Sequence, residues 1–181
     1  PPSPMTVSSP LAARAVEPRA EIAAVSLTLS TPRLVPAPLR GFDMTQRHAA
    51  ETIFVTDEAP ELAASIAELL EARGRRAVVV SQVPQGASAA ICLAALGPGA
   101  GPATSLATHL AALAAARALA HHPNPDERLF VTVQSAAAFG LAGDPGGAAW
   151  VAGLPGIVKT AAREWPGAGL KAIDVAQVES A

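Results

Sequence analysis

From residue 52 onward the chain alternates short runs of apolar residues with longer stretches of helical period. Ile53-Phe54-Val55 is the first such run, and Pro60 to Arg73 follows it. In that stretch Leu62, Ile66, Leu69 and Leu70 recur at the spacing that gathers side chains on one helical face. Gly74 ends the helix, since glycine is the residue that most readily adopts the left-handed backbone after a helix terminus. Ala77 to Val80 and Ala90 to Leu93 are two further runs, short and apolar on both faces, as central strands of a parallel sheet are. Thr104 to Ala120 is a second helix, Leu129 to Val133 a fourth strand, Ala149 to Trp165 a third helical region and Leu170 to Val175 a last strand. Pro155 lies inside the third helical region and fits a helix that begins near Gly153, because a proline in the first turn gives up an N–H that has no acceptor there anyway.

Strands that alternate with helices imply right-handed crossovers and a parallel sheet covered on both faces. The expected fold is therefore α/β, a truncated Rossmann-like parallel sheet flanked by helices. Upstream, Ala24 to Leu29 alternates like an edge strand, and Pro32, Pro36 and Pro38 keep the next stretch extended or looped. Residues 1–20 mix Pro, Ser and Ala without a sustained period and read as an interdomain linker. The expected organisation is a linker over 1–20, a Rossmann-like domain over 21–176, and a tail over 177–181 leading to a downstream domain, as in a domain excised from a longer chain.

Composition narrows the partners. Half of the residues are apolar and the net charge is only -2, which gives neither a nucleic-acid footprint nor a polybasic membrane patch. The longest apolar stretches are interrupted by Gly, Pro, His or Arg before the roughly 18 residues that a membrane helix requires. With no charged-then-apolar leader at the start, the expectation is a cytoplasmic protein whose partners are other proteins or small molecules. Cys92, the one cysteine, sits in an apolar run and reads as a buried, unreactive thiol. The aromatic residues are four Phe and two Trp, with no Tyr.

The chemistry of dinucleotide binding calls for a glycine-rich turn after the first strand, where backbone N–H groups can approach a pyrophosphate at a helix N-terminus. Here that turn is Thr56-Asp57-Glu58-Ala59-Pro60-Glu61, with no glycine and three carboxylates. The acids suit the positive end of the helix dipole, with Asp57 expected as the cap, and would repel a phosphate. Gly-rich stretches at 97–101 and 140–147 do not reproduce the fingerprint after the first strand. Glu68 and Glu71 near Arg73, and Asp126-Glu127-Arg128, read as solvated faces or local ion pairs. His121 and His122 stand at a helix C-terminus, where imidazoles interact well with the dipole, and His48 and His109 are isolated in sequence. None of these makes a metal-ligand spacing. Ser135, just beyond the fourth strand, is the one polar position at the carboxyl edge where α/β sites gather.

The segments Leu129-Phe130-Val131-Thr132-Val133-Gln134-Ser135, Gly156 to Pro166 (GIVKTAAREWP) and the strand ending in Ile173-Asp174 resemble the structural subdomain of ketoreductases from type I polyketide synthases and polyunsaturated fatty acid synthases. The resemblance spans about residues 20–176. It implies two Rossmann-like halves, a truncated structural one that binds no cofactor and a following catalytic one that carries the glycine-rich loop and a Ser-Tyr-Lys set. In short-chain reductases a Tyr acts as acid, a Lys four residues on lowers its pKa, and a Ser orients the carbonyl. Ser135 could serve as that serine, but Trp150 stands where the pattern implies Tyr and Leu154 where it implies Lys. Lys159, nine positions past Trp150, is a poor substitute and reads as a solvating surface residue.

The resemblance therefore implies a non-catalytic scaffold half of a ketoreductase. No catalytic, cofactor-binding or metal-ligating residue is expected in this chain, and Trp150, Leu154, Ile157 and Trp165 are candidate packing or interface residues. NADPH would be bound by the adjoining catalytic subdomain, which would reduce carrier-bound β-ketoacyl chains. The implied partners are that subdomain, an acyl carrier and neighbouring synthase domains, with neither nucleic acid nor membrane. The isolated chain is expected to be inactive, and to be part of a multifunctional synthase with NADPH-dependent β-ketoacyl reductase activity. Two other readings are a free-standing protein-interaction module and a small-molecule-binding α/β domain.

Overall fold

The computed structural model describes residues 52–96, 102–135 and 150–175, with single positions at 35, 139 and 141. All of these belong to one compact unit. The strand expected at 24–29, the linker, the tail, His48 and both Gly-rich stretches lie outside the described residues.

The elements run in the order β1 (Ile53–Thr56), α1 (Pro60–Glu71), β2 (Ala77–Val80), β3 (Ala89–Ala95), α2 (Pro102–Ala120), β4 (Leu129–Gln134), α3 (Leu154–Glu164) and β5 (Gly169–Asp174). The strands form a parallel five-stranded sheet in the order β2-β1-β3-β4-β5. Ile53 lies between Ala77 and Ala89, and Val131 pairs with both Ile91 and Lys171, while the β3–β4 register shifts between Cys92 and Ala95. The fold is α/β and Rossmann-like.

Chain direction determines which helix covers which face. From β1 the chain steps outward to β2, then crosses back over β1 to β3 and continues the other way to β4 and β5. Right-handed crossovers that travel in opposite directions must lie on opposite faces. Accordingly, among the described residues, α1 packs alone on one face, with Ala63, Ile66 and Leu70 against Ile53, Val55, Ala89 and Leu93. On the other face α2 and α3 pack over Ala90, Cys92, Ala94 and Phe130. The β2–β3 connection, residues 81–88, joins them there: Val83 and Ala87 belong to that core, and Gly86 N donates to Ala118 O at 2.9 Å.

Small residues explain how closely α2 lies on the sheet. Ala112, Ala115 and Ala116 on the helix meet Ala90, Cys92 and Ala94 on β3, all buried. The larger side chains flank this seam. Phe130, Leu119 and Leu154 are fully buried, each contributing roughly 1.5–3 kcal/mol relative to exposure.

Helix ends follow local chemistry. Gly74 takes φ +74, its N–H donates to Glu71 O, and Arg75 N donates to Leu70 O, which is a Schellman arrangement at the end of α1. At its start, Ala59 is the cap residue and no side chain caps it, so the expectation for Asp57 fails. Asp57 is exposed and lies two residues too early, and Pro60 in the first turn has already removed one N–H that would need a cap. The third helix begins at Leu154, after Gly153 and with Pro155 in its first turn, as the proline's position implied. A second correction concerns β2. Its apolar run suggested a central position, yet among the described residues it is the sheet edge, with Val79 40% exposed.

Candidate functional site at the carboxyl edge

In open parallel sheets, ligands bind beyond the carboxyl ends of the strands, where connections on either side of a strand pair run to opposite faces. That point here lies between β1 and β3. The ladder between them pairs Ile53, Phe54 and Val55 with Ala89, Ala90 and Ile91. Thr56 then replaces a backbone acceptor with its side chain: Leu93 N donates to Thr56 Oγ1 at 2.8 Å, and Thr56 is buried.

Cys92 lies beside it. Burial pushes the thiol up to about 11, the nearby charge of Glu58 adds to the rise, and contacts with the Ala94 backbone and the Thr56 hydroxyl oppose it. A thiol held protonated is a weak nucleophile, which matches the reading of Cys92 as inert. Glu58 has a further property. Its Oε2 is shielded from solvent and has no hydrogen-bond partner. Glu58 also lines a pocket of about 290 Å³ with Thr56, Ser81, Gln82 and Gln85, closed on its other side by Ala111, Ala114 and Ala115 of α2.

At the opposite end of the edge, Gln134 Nε2 donates to Asp174 Oδ2 at 3.2 Å, tying β4 to β5, and Phe139 N donates to the same oxygen. Ser135 is half-buried immediately after β4. Neither Gln82 and Gln85 nor the Gln134–Asp174 pair was expected. A glutamine ending an otherwise apolar strand, and a β2–β3 connection too short for a helix, were the available signals.

The four candidate packing residues separate. Leu154 and Trp165 are buried in the core, Ile157 is half-buried beside it, and Trp150 is 51% exposed. Ile157 and Trp165 line a groove of about 380 Å³ between α2 and α3, with Leu113, Arg117, Gly153 and Gly156. Leu106, Leu110 and Leu113 form an exposed apolar ridge along α2 at helical spacing. His109 is not isolated in the fold: its Nδ1 donates to Ser105 O at 2.7 Å, and Ser105 Oγ donates to Trp150 O at 2.6 Å. This links α2 to the segment that leads into α3. His121 and His122 follow the end of α2 as expected, with His121 Nδ1 donating to Arg117 O. Lys159 is exposed.

Arg128 requires the largest correction. It is buried rather than solvated, because the backbone supplies what a carboxylate would have supplied. Its Nη2 donates to Ala120 O and His122 O, the free carbonyls at the end of α2. Among the described residues no His, Cys, Asp and Glu side chains converge as a metal-binding group, and no helix is long and apolar enough to cross a membrane.

Compared with family models, with curated proteins and with solved structures, the chain matches none.

Proposed function

We propose that this domain is the non-catalytic structural half of a ketoreductase in a multidomain polyketide or polyunsaturated fatty acid synthase. It would stabilise a catalytic half that binds NADPH and reduces carrier-bound β-ketoacyl chains. The observation that carries this reading is the state of the two positions where the short-chain reductase pattern implies Tyr and Lys. Leu154 is sealed in the core at 1% exposure, and Trp150 presents an indole, which cannot serve as the proton donor. One feature supports it further: the turn after β1 contains no glycine.

A scaffold half needs a surface on which to pack its partner. The α2 ridge of Leu106, Leu110 and Leu113, next to the exposed Trp150 and the groove toward α3, is the apolar surface assigned to that role. The implied acyl carrier and neighbouring synthase domains would contact the assembled pair, and a cytoplasmic location follows from the same reading.

The test is to join this chain to the polypeptide encoded after residue 181 and assay NADPH oxidation with a β-ketoacyl thioester. Activity is expected from the joined protein and none from this chain alone. Tight NADPH binding by this chain alone, or a following sequence without a Gly-rich turn and a Tyr/Lys pair, would overturn the reading.

A further inference from the structure

The outer face of α2 changes character halfway along the helix. Its N-terminal half projects: Leu106, Leu110 and Leu113 are exposed, at the spacing that stacks them into a ridge. Its C-terminal half is recessed. From Leu113 onward Ala116 and Ala120 line the groove of about 380 Å³, whose far wall is Gly153, just before α3, with Gly156 and Ile157 on it. Leu106, Leu110, Leu113 and Ala120 fall within about 80° of arc at 3.6 residues per turn, so ridge and groove share one face and meet at Leu113. Each runs about 10 Å along the helix axis.

A face of this kind is complementary to itself. A two-fold axis through Leu113 sets α2 antiparallel to its copy, with Leu106 opposite Ala120, Leu110 opposite Ala116 and Leu113 opposite Leu113. Each ridge then enters the groove of the other copy, which is how packed helices fit together, and one patch serves both copies, as closed two-fold symmetry requires. Charge does not oppose the pairing. The exposed positions of α2 from Ala103 to Ala114 carry no Asp, Glu, Lys or Arg, and the two charged residues in the groove lining, Arg117 and Glu164, have opposite signs. Depletion of charge at the centre is what distinguishes the core of a protein interface.

We propose that this chain by itself forms a two-fold dimer through α2, its axis at Leu113 and the 106–113 ridge of each copy seated in the groove of the other. A helix pair is a small interface, so the dissociation constant is expected in the micromolar range. A catalytic half joined to the chain would occupy the same face in place of the second copy. That reading is tested by the NADPH assay on the joined protein, and the dimer on this chain alone, so either can fail without the other.

Sedimentation equilibrium of the full chain, from micromolar to millimolar concentration, should show a closed equilibrium between monomer and dimer. Leu110→Glu, at an exposed position, carries a carboxylate into the partner's groove and should weaken the dimer at least about tenfold. Gly156→Leu acts from the groove side. A Cβ there meets nothing within 4 Å, so the leucine fills the groove, and because it favours a helix over glycine it should weaken the dimer as much with no fall in the urea midpoint. The axis is located by Leu113→Cys and Leu106→Cys under mild oxidation, the native Cys92 being buried. A thiol at 113 should link to its own copy, whereas one at 106 lies about 20 Å from its own copy and should not. A monomer at every concentration, open-ended association, a dimer unchanged by both Leu110→Glu and Gly156→Leu, or equal cross-linking from 113 and 106 would overturn the proposal.

Discussion

The guanidinium of Arg128 lies 4.8 Å from the centre of the Trp165 ring, while its Nη2 donates to Ala120 O at 2.9 Å and to His122 O at 2.6 Å. One buried side chain therefore holds the end of α2, the start of β4 and the end of α3 together. Arg128→Met keeps much of the stem but removes both carbonyl bonds and the cation–π contact, and should cost about 2–3 kcal/mol in urea unfolding. Trp165→Leu leaves a void under the guanidinium and should cost about 3 kcal/mol. The double variant should lose less than the sum, since the two residues share a contact. Additive losses would show that the ring and the guanidinium are energetically independent.

Gly74 isolates a backbone effect from a packing effect. It has φ +74, and a Cβ placed there would meet nothing within 4 Å. Gly74→Ala should therefore destabilise by about 1 kcal/mol purely through the left-handed backbone, and Gly74→Asn by less, because asparagine tolerates that region. Urea midpoints for the two variants, ranked glycine, asparagine, alanine, are the check. Equal midpoints for all three would contradict the Schellman geometry.

The features legible in the sequence were those set by local pattern. Leu62, Ile66, Leu69 and Leu70 marked α1, Gly74 its end, and Pro155 the start of α3 just after Gly153. What escaped was set by lateral or tertiary position. An apolar run such as Ala77 to Val80 announces burial on its faces and carries no signal of which strands lie on either side. Arg128 follows two acids and looked solvated, and only the fold brings the carbonyls of Ala120 and His122 to it. The pocket at Glu58 was invisible for the same reason: it depends on the course of residues 81–88 and on where α2 passes, neither of which is encoded in a local motif.

Cys92 gives the domain an alkaline limit. Its pKa rises from 9.0 to about 11 on folding, chiefly through burial. Below pH 9 the thiol is neutral in both states and the shift has no effect on stability. Between pH 9 and about 11 the unfolded chain releases the proton while the folded chain retains it, so stability falls as pH rises, by at most about 1.4 kcal/mol per unit. Cys92→Ala should flatten that part of the stability–pH curve, whatever small packing cost it adds at pH 7. The wild-type thiol should also react with a disulfide reagent at pH 8 only as fast as the protein unfolds. Rapid reaction in the folded state would contradict its burial.

Trp150 and Leu154 test what the fold accepts at the two positions where the short-chain reductase pattern implies Tyr and Lys. Trp150 is half exposed, so Trp150→Tyr should change stability by no more than about 0.5 kcal/mol. Leu154 is 1% exposed within the α2–α3 core, and Leu154→Lys buries an ammonium there without an acid designed to receive it. That single change should cost roughly 3 kcal/mol or more. The asymmetry means that placing the implied Tyr and Lys together yields a damaged fold before it yields a site. The double variant should therefore unfold at much lower urea than the parent and show no NADPH-dependent reduction. A well-folded double variant with measurable turnover would mean that Leu154 lies where a catalytic lysine can reach substrate, and would overturn the proposed scaffold role.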